Sequence, residues 1–209
     1  MMAQASPHIP EAVASACGFD GSQEIGERDV VVVNDPTFVS IVVPFDRAYR
    51  GRPLPKSLRT LVPGTRRIEV TRADASTLVL KAKEGDLFDC PEVGPVRSCY
   101  VCKGANEFLF GGKTWTTGER VRRKGLLVEV REVSPRGAPQ VVAFHFDRPL
   151  ESDELTWLFF DWRKRVHRPF DLPQVGETVE IVGPRDNEIQ NPKSEDRMKP
   201  ETEVRSRSI

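Results

Sequence analysis

Three cysteines in the middle of the chain have the side chains that bind metals or exchange disulfides. Cys99 and Cys102 form a C-x-x-C pair, and Cys90 lies nine positions upstream. Such thiolates bind zinc when a fourth ligand completes the tetrahedron, and here only Cys17 or a histidine could supply it. Redox chemistry is less favoured, because a reactive pair sits at a helix N-terminus, whereas this pair runs into a turn at Gly104. A zinc site at Cys90, Cys99 and Cys102 is therefore a hypothesis, and incidental thiols without a cofactor are favoured.

A predicted strand late in the chain offers a second set of reactive side chains. His145 alternates with Val141 and Ala143 on one face of that strand, and Asp147 comes two positions later. A lone histidine on a strand is more often a packing or surface residue than a general base, and no nucleophile-elbow or zinc-protease motif accompanies it. An enzyme that uses the cysteines, His145 or Asp147 is the rival hypothesis, its substrate left open. A non-enzymatic protein is favoured.

The stretch "RAYRGRPLPKSLRTLVPGTRR" carries seven basic side chains and no acidic one. The whole chain balances 31 basic against 31 acidic residues, which disfavours a general nucleic-acid binder, and Tyr49 is the only aromatic residue of the stretch that could stack on a base. A solvated connection is the simplest interpretation, and an anionic membrane surface or an acidic protein partner is the functional alternative. The candidate anion- or partner-binding residues are Arg47, Arg50, Arg52, Lys56, Arg59, Arg66 and Arg67.

The distribution of apolar and basic residues along the chain predicts the cellular location of the protein. No apolar run approaches the length of about eighteen residues that a membrane-spanning helix needs, and the N-terminus lacks the basic and apolar regions of a secretory signal. The expected location is the cytoplasm, with peripheral attachment to a membrane as an extension of the basic-surface hypothesis. The cysteines are then expected to be reduced thiols or metal ligands.

The chain divides into three predicted parts. Residues 1–27 form a loosely ordered segment in which "PEAVASACG" allows one short helix. Residues 28–183 form a single β-rich domain. Residues 184–209 are a charged tail with six basic and six acidic residues and no aromatic one, which we expect to be disordered because it cannot bury enough apolar surface to offset the entropy of ordering.

The domain reads as mainly β with little helix, built from hairpins as a sandwich or a partly open barrel. "RDVVVVN" and "TFVSIVVPF" are β-branched runs that predict two strands separated by a turn at Asn34-Asp35-Pro36. "RRIEVTRADASTLVLKA" and "GLLVEVREVSPRGAPQVVAFHFD" each predict a hairpin. "EFLF", "LTWLFFDW" and "ETVEIV" supply further strands.

The segments between these strands are predicted as connections. The basic stretch contains Pro53, Pro55 and Pro63, which favour an extended crossover outside any central strand. "RKRVHR", from Arg163 to Arg168, is predicted as a solvated loop. The aromatic residues just before it are expected to pack in the core.

The order of "VVVVNDPTF", "GRPLPKSLRTLVPG", "IEVTRADASTLVL" and "LPQVGETVEIV" resembles the C-terminal soluble β-rich region of a group of uncharacterised bacterial proteins, in which a polytopic membrane part comes first. The resemblance covers roughly residues 29–182 and rests on turns and strands, so it implies kinship and no activity. This chain is then expected to be either a freestanding soluble relative or a protein that works beside a separate membrane subunit. Together with the composition, the resemblance favours an interaction or accessory module at the membrane face, beside a membrane partner.

Overall fold

The computed structural model describes residues 25–26, 28–35, 39–49, 51–64, 67–88, 114–164 and 166–183; within 39–49 it describes the side chains of 43–45 and 47–49. In these ranges the chain forms ten strands and one helix. They are β1 (Asp29–Asp35), α1 (Val39–Tyr49), β2 (Ser57–Pro63), β3 (Ile68–Arg72), β4 (Thr77–Ala82), β5 (Arg120–Arg123), β6 (Leu126–Val133), β7 (Pro139–Phe146), β8 (Leu155–Asp161), β9 (Val166–Pro169) and β10 (Thr178–Ile181).

Two sheets account for all of these strands. The four-stranded sheet has the order β2-β1-β8-β9, and the six-stranded sheet has the order β10-β3-β4-β7-β6-β5. The expected mainly β sandwich is confirmed. Both predicted hairpins are also present, as β3–β4 and β6–β7, with antiparallel registers such as Val70↔Leu80 and Val128↔Phe144.

The four-stranded sheet contains parallel pairs, which a sandwich built only from hairpins would lack. β1 runs parallel to both β2 and β8. A parallel pair needs a crossover of about a dozen residues or more, and the segment between β1 and β2 supplies it with α1. The carboxyl ends of β1, β2 and β8 consequently lie at the same edge of the sheet.

Alternation along β1 creates a core on each face of the four-stranded sheet. Val31 and Val33 belong to the larger apolar cluster, between the two sheets, together with Leu78 and Leu80 of β4. The other face holds a smaller cluster, in which Val43 of α1 packs with residues of β1, β8 and the N-terminal approach. The architecture is therefore three layers deep, with α1, the four-stranded sheet and the six-stranded sheet in succession.

The prediction of a strand at "TFVSIVVPF" is wrong, because this segment begins α1. Its β-branched residues favour a strand locally, but β-propensity depends strongly on context. Here the segment must cross from β1 to the parallel β2, and helical spacing places Val43 and Arg47 on one face against the sheet, where they are 0% and 7% exposed. Packing over the sheet overrides the local preference.

The basic stretch and "RKRVHR" also differ from their predictions as loops. β2 lies inside the basic stretch and is the outer strand of its sheet, where Pro63 at the strand's end removes no central hydrogen bond. "RKRVHR" contains β9, which pairs with β8 in the register Phe160↔His167. The predicted short N-terminal helix, the strand at "EFLF" and the charged tail lie outside the described residues, so they stay predictions.

Candidate functional site

Helix α1 presents one face to the sheet and the opposite face to solvent. Val43 and Arg47 point inward. Phe45 and Tyr49 each come two positions later, about 200° further around a helix, and they are 72% and 66% exposed. Phe45 and Tyr49 are themselves one turn apart, so they lie side by side on the outer face.

The end of α1 is fixed by a Schellman motif, in which the chain reverses over the last helical turn. The Arg52 amide donates to the Arg47 carbonyl at 2.9 Å, and the Gly51 amide donates to the Ala48 carbonyl at 3.1 Å. Gly51 takes a φ of 62°, the left-handed conformation that glycine adopts without a Cβ penalty. The loop after the helix is thereby held against the helix end.

The buried guanidinium of Arg47 holds this loop from within. Its Nε donates to the Pro53 carbonyl at 2.8 Å, and Leu54 follows at once with 49% exposure. Phe45, Tyr49 and Leu54 are three of the four large apolar side chains that stand exposed among the described residues. We call the four residues Phe45, Tyr49, Arg52 and Leu54 the helix-end surface; Arg52 is also exposed.

The structure separates the seven basic residues predicted to bind an anion or a partner. Arg47 is internal, as described above. Lys56 lies 3.8 Å from Glu154 and Arg67 lies 3.3 Å from Glu180, both as partly exposed ion pairs. Arg50 and Arg66 lie outside the described residues. Arg52, on the helix-end surface, and Arg59 of β2 form no ion pair in the part of the chain that the structure describes.

A buried polar cluster stands at the carboxyl edge of the parallel strands. His167 Nε2 and Asp35 Oδ1 are 2.7 Å apart, and the two side chains are 0% and 1% exposed. Next to them, Asn34 Nδ2 donates to the Phe160 carbonyl at 3.3 Å, and Asn34 Oδ1 accepts from the Phe160 amide at 2.9 Å. These bonds join β1 to β8 and β9 inside the protein, so the cluster is built to hold the sheet together.

The rival catalytic candidates lie on the six-stranded sheet in a surface network. His145 Nε2 is 3.3 Å from Glu129 Oε2, and His145 Nδ1 is 3.1 Å from the Thr77 hydroxyl. The hydrogen bond from Arg120, with a smaller contribution from His145, holds the pKa of Glu129 below its usual range. Asp147 is paired with Arg122 at 3.2 Å. His145 and Asp147 are thus each bonded to neighbouring polar side chains on the surface of the sheet.

The metal hypothesis falls on Cys90, Cys99 and Cys102, which lie outside the described residues. Within the described ranges, no three histidine, cysteine, aspartate or glutamate side chains come together as a metal site. The zinc hypothesis therefore stays a prediction that elemental analysis of the purified protein can decide.

Replacing Cys99 and Cys102 together by serine tests the favoured alternative. If the thiols are incidental, we expect the double variant to lose about 1 kcal/mol or less of unfolding free energy, as is usual for substitutions that break no special feature. Urea denaturation measures this loss. Unfolding of the variant together with release of stoichiometric zinc would establish the metal site instead.

A crevice of about 320 Å³ opens between the β8–β9 hairpin and β10, on the opposite flank from β2. Its walls include the edge-to-face pairs Phe159–Phe170 and Phe160–Trp162. Burial would raise the pKa of Asp161 at its rim, but the backbone amides of the following turn and Arg168 lower that pKa overall. The crevice therefore joins aromatic walls to the Asp161 carboxylate, which is already bonded within the protein.

No protein-family model matches this chain, and neither a curated protein nor a solved structure proved similar to it. The resemblance to the soluble region of bacterial membrane proteins therefore stays a prediction. Among the described residues, no helix has both the length and the apolar character to cross a bilayer.

Proposed function

We propose that this protein is a non-enzymatic β-rich interaction module that docks on an anionic membrane surface through its helix-end surface. The observation that carries the proposal is the exposure of Phe45 and Tyr49 side by side on the outer face of α1, with the exposed Arg52 and Leu54 in the loop that follows the helix. Arg52 forms no ion pair in the described ranges. Large apolar side chains that stand exposed together mark sites of association more often than single ones do. Aromatic rings favour the membrane–water interface, and cations favour anionic lipid.

The rigidity of the helix-end surface supports this choice of partner. The Schellman motif and the Arg47–Pro53 hydrogen bond fix the loop before any lipid arrives, so docking would cost little conformational entropy. Burying three partly exposed apolar side chains is worth roughly 1 kcal/mol or more each. Each nearby cation adds up to about 1 kcal/mol at an anionic surface.

The charge balance of the chain fits a small contact with anionic lipid better than a groove that binds nucleic acid. Its net charge is zero, so electrostatic attraction to anionic lipid has to come from local side chains such as Arg52. Work beside a separate membrane subunit, one of the two alternatives that the resemblance leaves open, would add a protein contact to the lipid contact. The location that follows is peripheral, at the cytoplasmic face.

A vesicle sedimentation experiment tests the proposal. We expect the protein to bind vesicles of phosphatidylcholine mixed with phosphatidylserine at low salt and to bind pure phosphatidylcholine weakly. Replacing Phe45 and Tyr49 together by alanine should lower the affinity roughly tenfold to a hundredfold, which corresponds to about 1.4 to 3 kcal/mol of lost apolar contact. Arg52→Glu should weaken the low-salt binding further, and raised salt should weaken binding generally, since charges are screened beyond about 8 Å at physiological salt.

Val175→Ala is the matched control. Val175 is 60% exposed but lies in the turn before β10, on the other sheet, so its loss should leave vesicle binding unchanged. Absence of binding to acidic vesicles at every salt concentration would refute the proposal. Equal losses in the Val175 variant and the Phe45/Tyr49 double variant would show that the contact is nonspecific.

A further inference from the structure

An arginine of β2 reaches across the opening between the two sheets. Leu58 faces α1 and Leu61 faces the six-stranded sheet, so Arg59 shares the inward face of Leu61 by the two-residue period of a strand. Its two terminal nitrogens lie 3.6 and 3.7 Å from the position that a Cβ on Gly125 would occupy. Arg59 is half-buried there and forms no ion pair in the part of the chain that the structure describes.

The β5–β6 turn brings further cations to the same opening. Arg123 lies directly opposite Leu126, a core residue with 6% exposure, so both residues are on the face of the six-stranded sheet that looks toward the other sheet. Lys124 and Gly125 form the turn, with Gly125 at a φ of 73°. Arg123 donates only to the Arg122 carbonyl, and Lys124 has no ion pair within the described ranges.

Arg122, the residue before Arg123, lies on the opposite face of the six-stranded sheet and has its own carboxylate partner. Arg122 is paired with Asp147 at 3.2 Å, and the Asp147 amide donates to the Gly125 carbonyl at 3.3 Å. Arg59, Arg123 and Lys124, which we call the basic corner, therefore hold three positive charges that form no ion pair in the part of the chain that the structure describes. A half-buried arginine without a counterion is poorly solvated, and an arriving anion would offset that cost.

The grouping of the donors points to the chemistry of the anion. A phosphate monoester carries about −1.5 to −2 charges at neutral pH and three strong acceptor oxygens, so it can accept from several guanidinium groups at once. We infer that the basic corner binds the phosphate monoester headgroup of an anionic lipid. The inference rests on the proposed membrane docking and deepens it, because it gives the docked module a preferred headgroup.

Vesicles of two kinds test the inference at matched surface charge, one containing phosphatidic acid and the other phosphatidylserine, both in phosphatidylcholine. We expect the unaltered protein to bind the phosphatidic acid vesicles several-fold more tightly. The triple substitution Arg59→Gln, Arg123→Gln and Lys124→Gln should remove that preference and lower affinity for phosphatidic acid vesicles about tenfold. The control Lys81→Gln, Arg131→Gln and Lys164→Gln removes the same charge from exposed positions elsewhere and should keep the preference.

The outcomes separate the two claims. If the protein binds both kinds of vesicle equally, or if the triple variant keeps the preference, membrane docking stands and the headgroup inference is overturned. If the protein binds neither kind, the proposed function fails and the inference falls with it. If a single-stranded oligonucleotide binds and the triple variant alone loses it while vesicle binding is unchanged, the corner is a nucleic-acid site and the inference is overturned. Circular dichroism confirms that each variant keeps its strands.

Discussion

Replacing His167 by alanine is expected to lower the unfolding free energy by about 3 to 5 kcal/mol, the usual cost of removing one member of a buried charged or polar pair. The imidazole is fully buried against Asp35, so its loss leaves the carboxylate buried without that partner. The ring also packs edge-to-face on Phe160, with centroids 5.1 Å apart, and this contact disappears as well. Urea denaturation followed by circular dichroism measures the change.

Arg168→Ala is the neighbouring control for this prediction. Arg168 forms an ion pair with Asp161 at 3.3 Å, but its side chain is 47% exposed, and exposed pairs contribute about 1 kcal/mol or less. The double variant Asp35→Ala with His167→Ala should lose less unfolding free energy than the sum of the two single variants. Each single substitution leaves the other side chain of the pair buried without this hydrogen bond, whereas the double variant leaves neither. An additive double variant would mean that the two side chains are not energetically coupled.

The two hairpins of the six-stranded sheet were predictable from sequence because their signal is local, whereas β5 was not predicted. In β3–β4 and β6–β7, apolar residues alternate with polar ones and a turn separates each pair of strands. Such a pattern has few alternatives, since a shift by one residue would move every apolar side chain to solvent. The parallel strands of the four-stranded sheet carry no sequence signal that identifies their partners. β1 is buried on both faces, so its sequence shows no alternation of apolar and polar residues. The β-branched residues of α1 favour a strand locally, and only packing against the sheet makes that segment a helix.

The candidate sites divide in the same way. The sequence located the basic stretch and hence Arg52 and Arg59, but it could not show that Arg47 is buried, because that depends on how α1 packs. The helix-end surface was missed, although Phe45 and Tyr49 at helical spacing, followed by Gly51, could have indicated it once α1 was recognised as a helix. The basic corner joins β2 to a turn more than sixty positions later, and no local pattern predicts that contact.

Trp157 is expected to be the most costly aromatic residue to remove from between the sheets. It is 8% exposed, its ring meets Phe146 edge-to-face at 5.2 Å, and its Nε1 donates to the Leu150 carbonyl at 2.8 Å. Trp157→Ala should therefore cost about 3 to 5 kcal/mol, as large-to-small changes in a core do. The sequence-based expectation that "LTWLFFDW" packs in the core is met at this position.

Trp157→Phe separates packing from hydrogen bonding. The phenylalanine ring keeps most of the contact with Phe146, but it leaves the Leu150 carbonyl without its donor, which should cost about 1 to 3 kcal/mol. Phe45→Ala serves as the exposed counterpart and should change stability by only about 0.5 kcal/mol. If Phe45→Ala were as destabilising as Trp157→Ala, the outer face of α1 would be part of the core, and the loss of vesicle binding in its variants would reflect unfolding and not a lost lipid contact. If the Phe45→Ala variant is as stable as the unaltered protein but binds vesicles more weakly, the lost binding reflects a lost lipid contact at the outer face of α1.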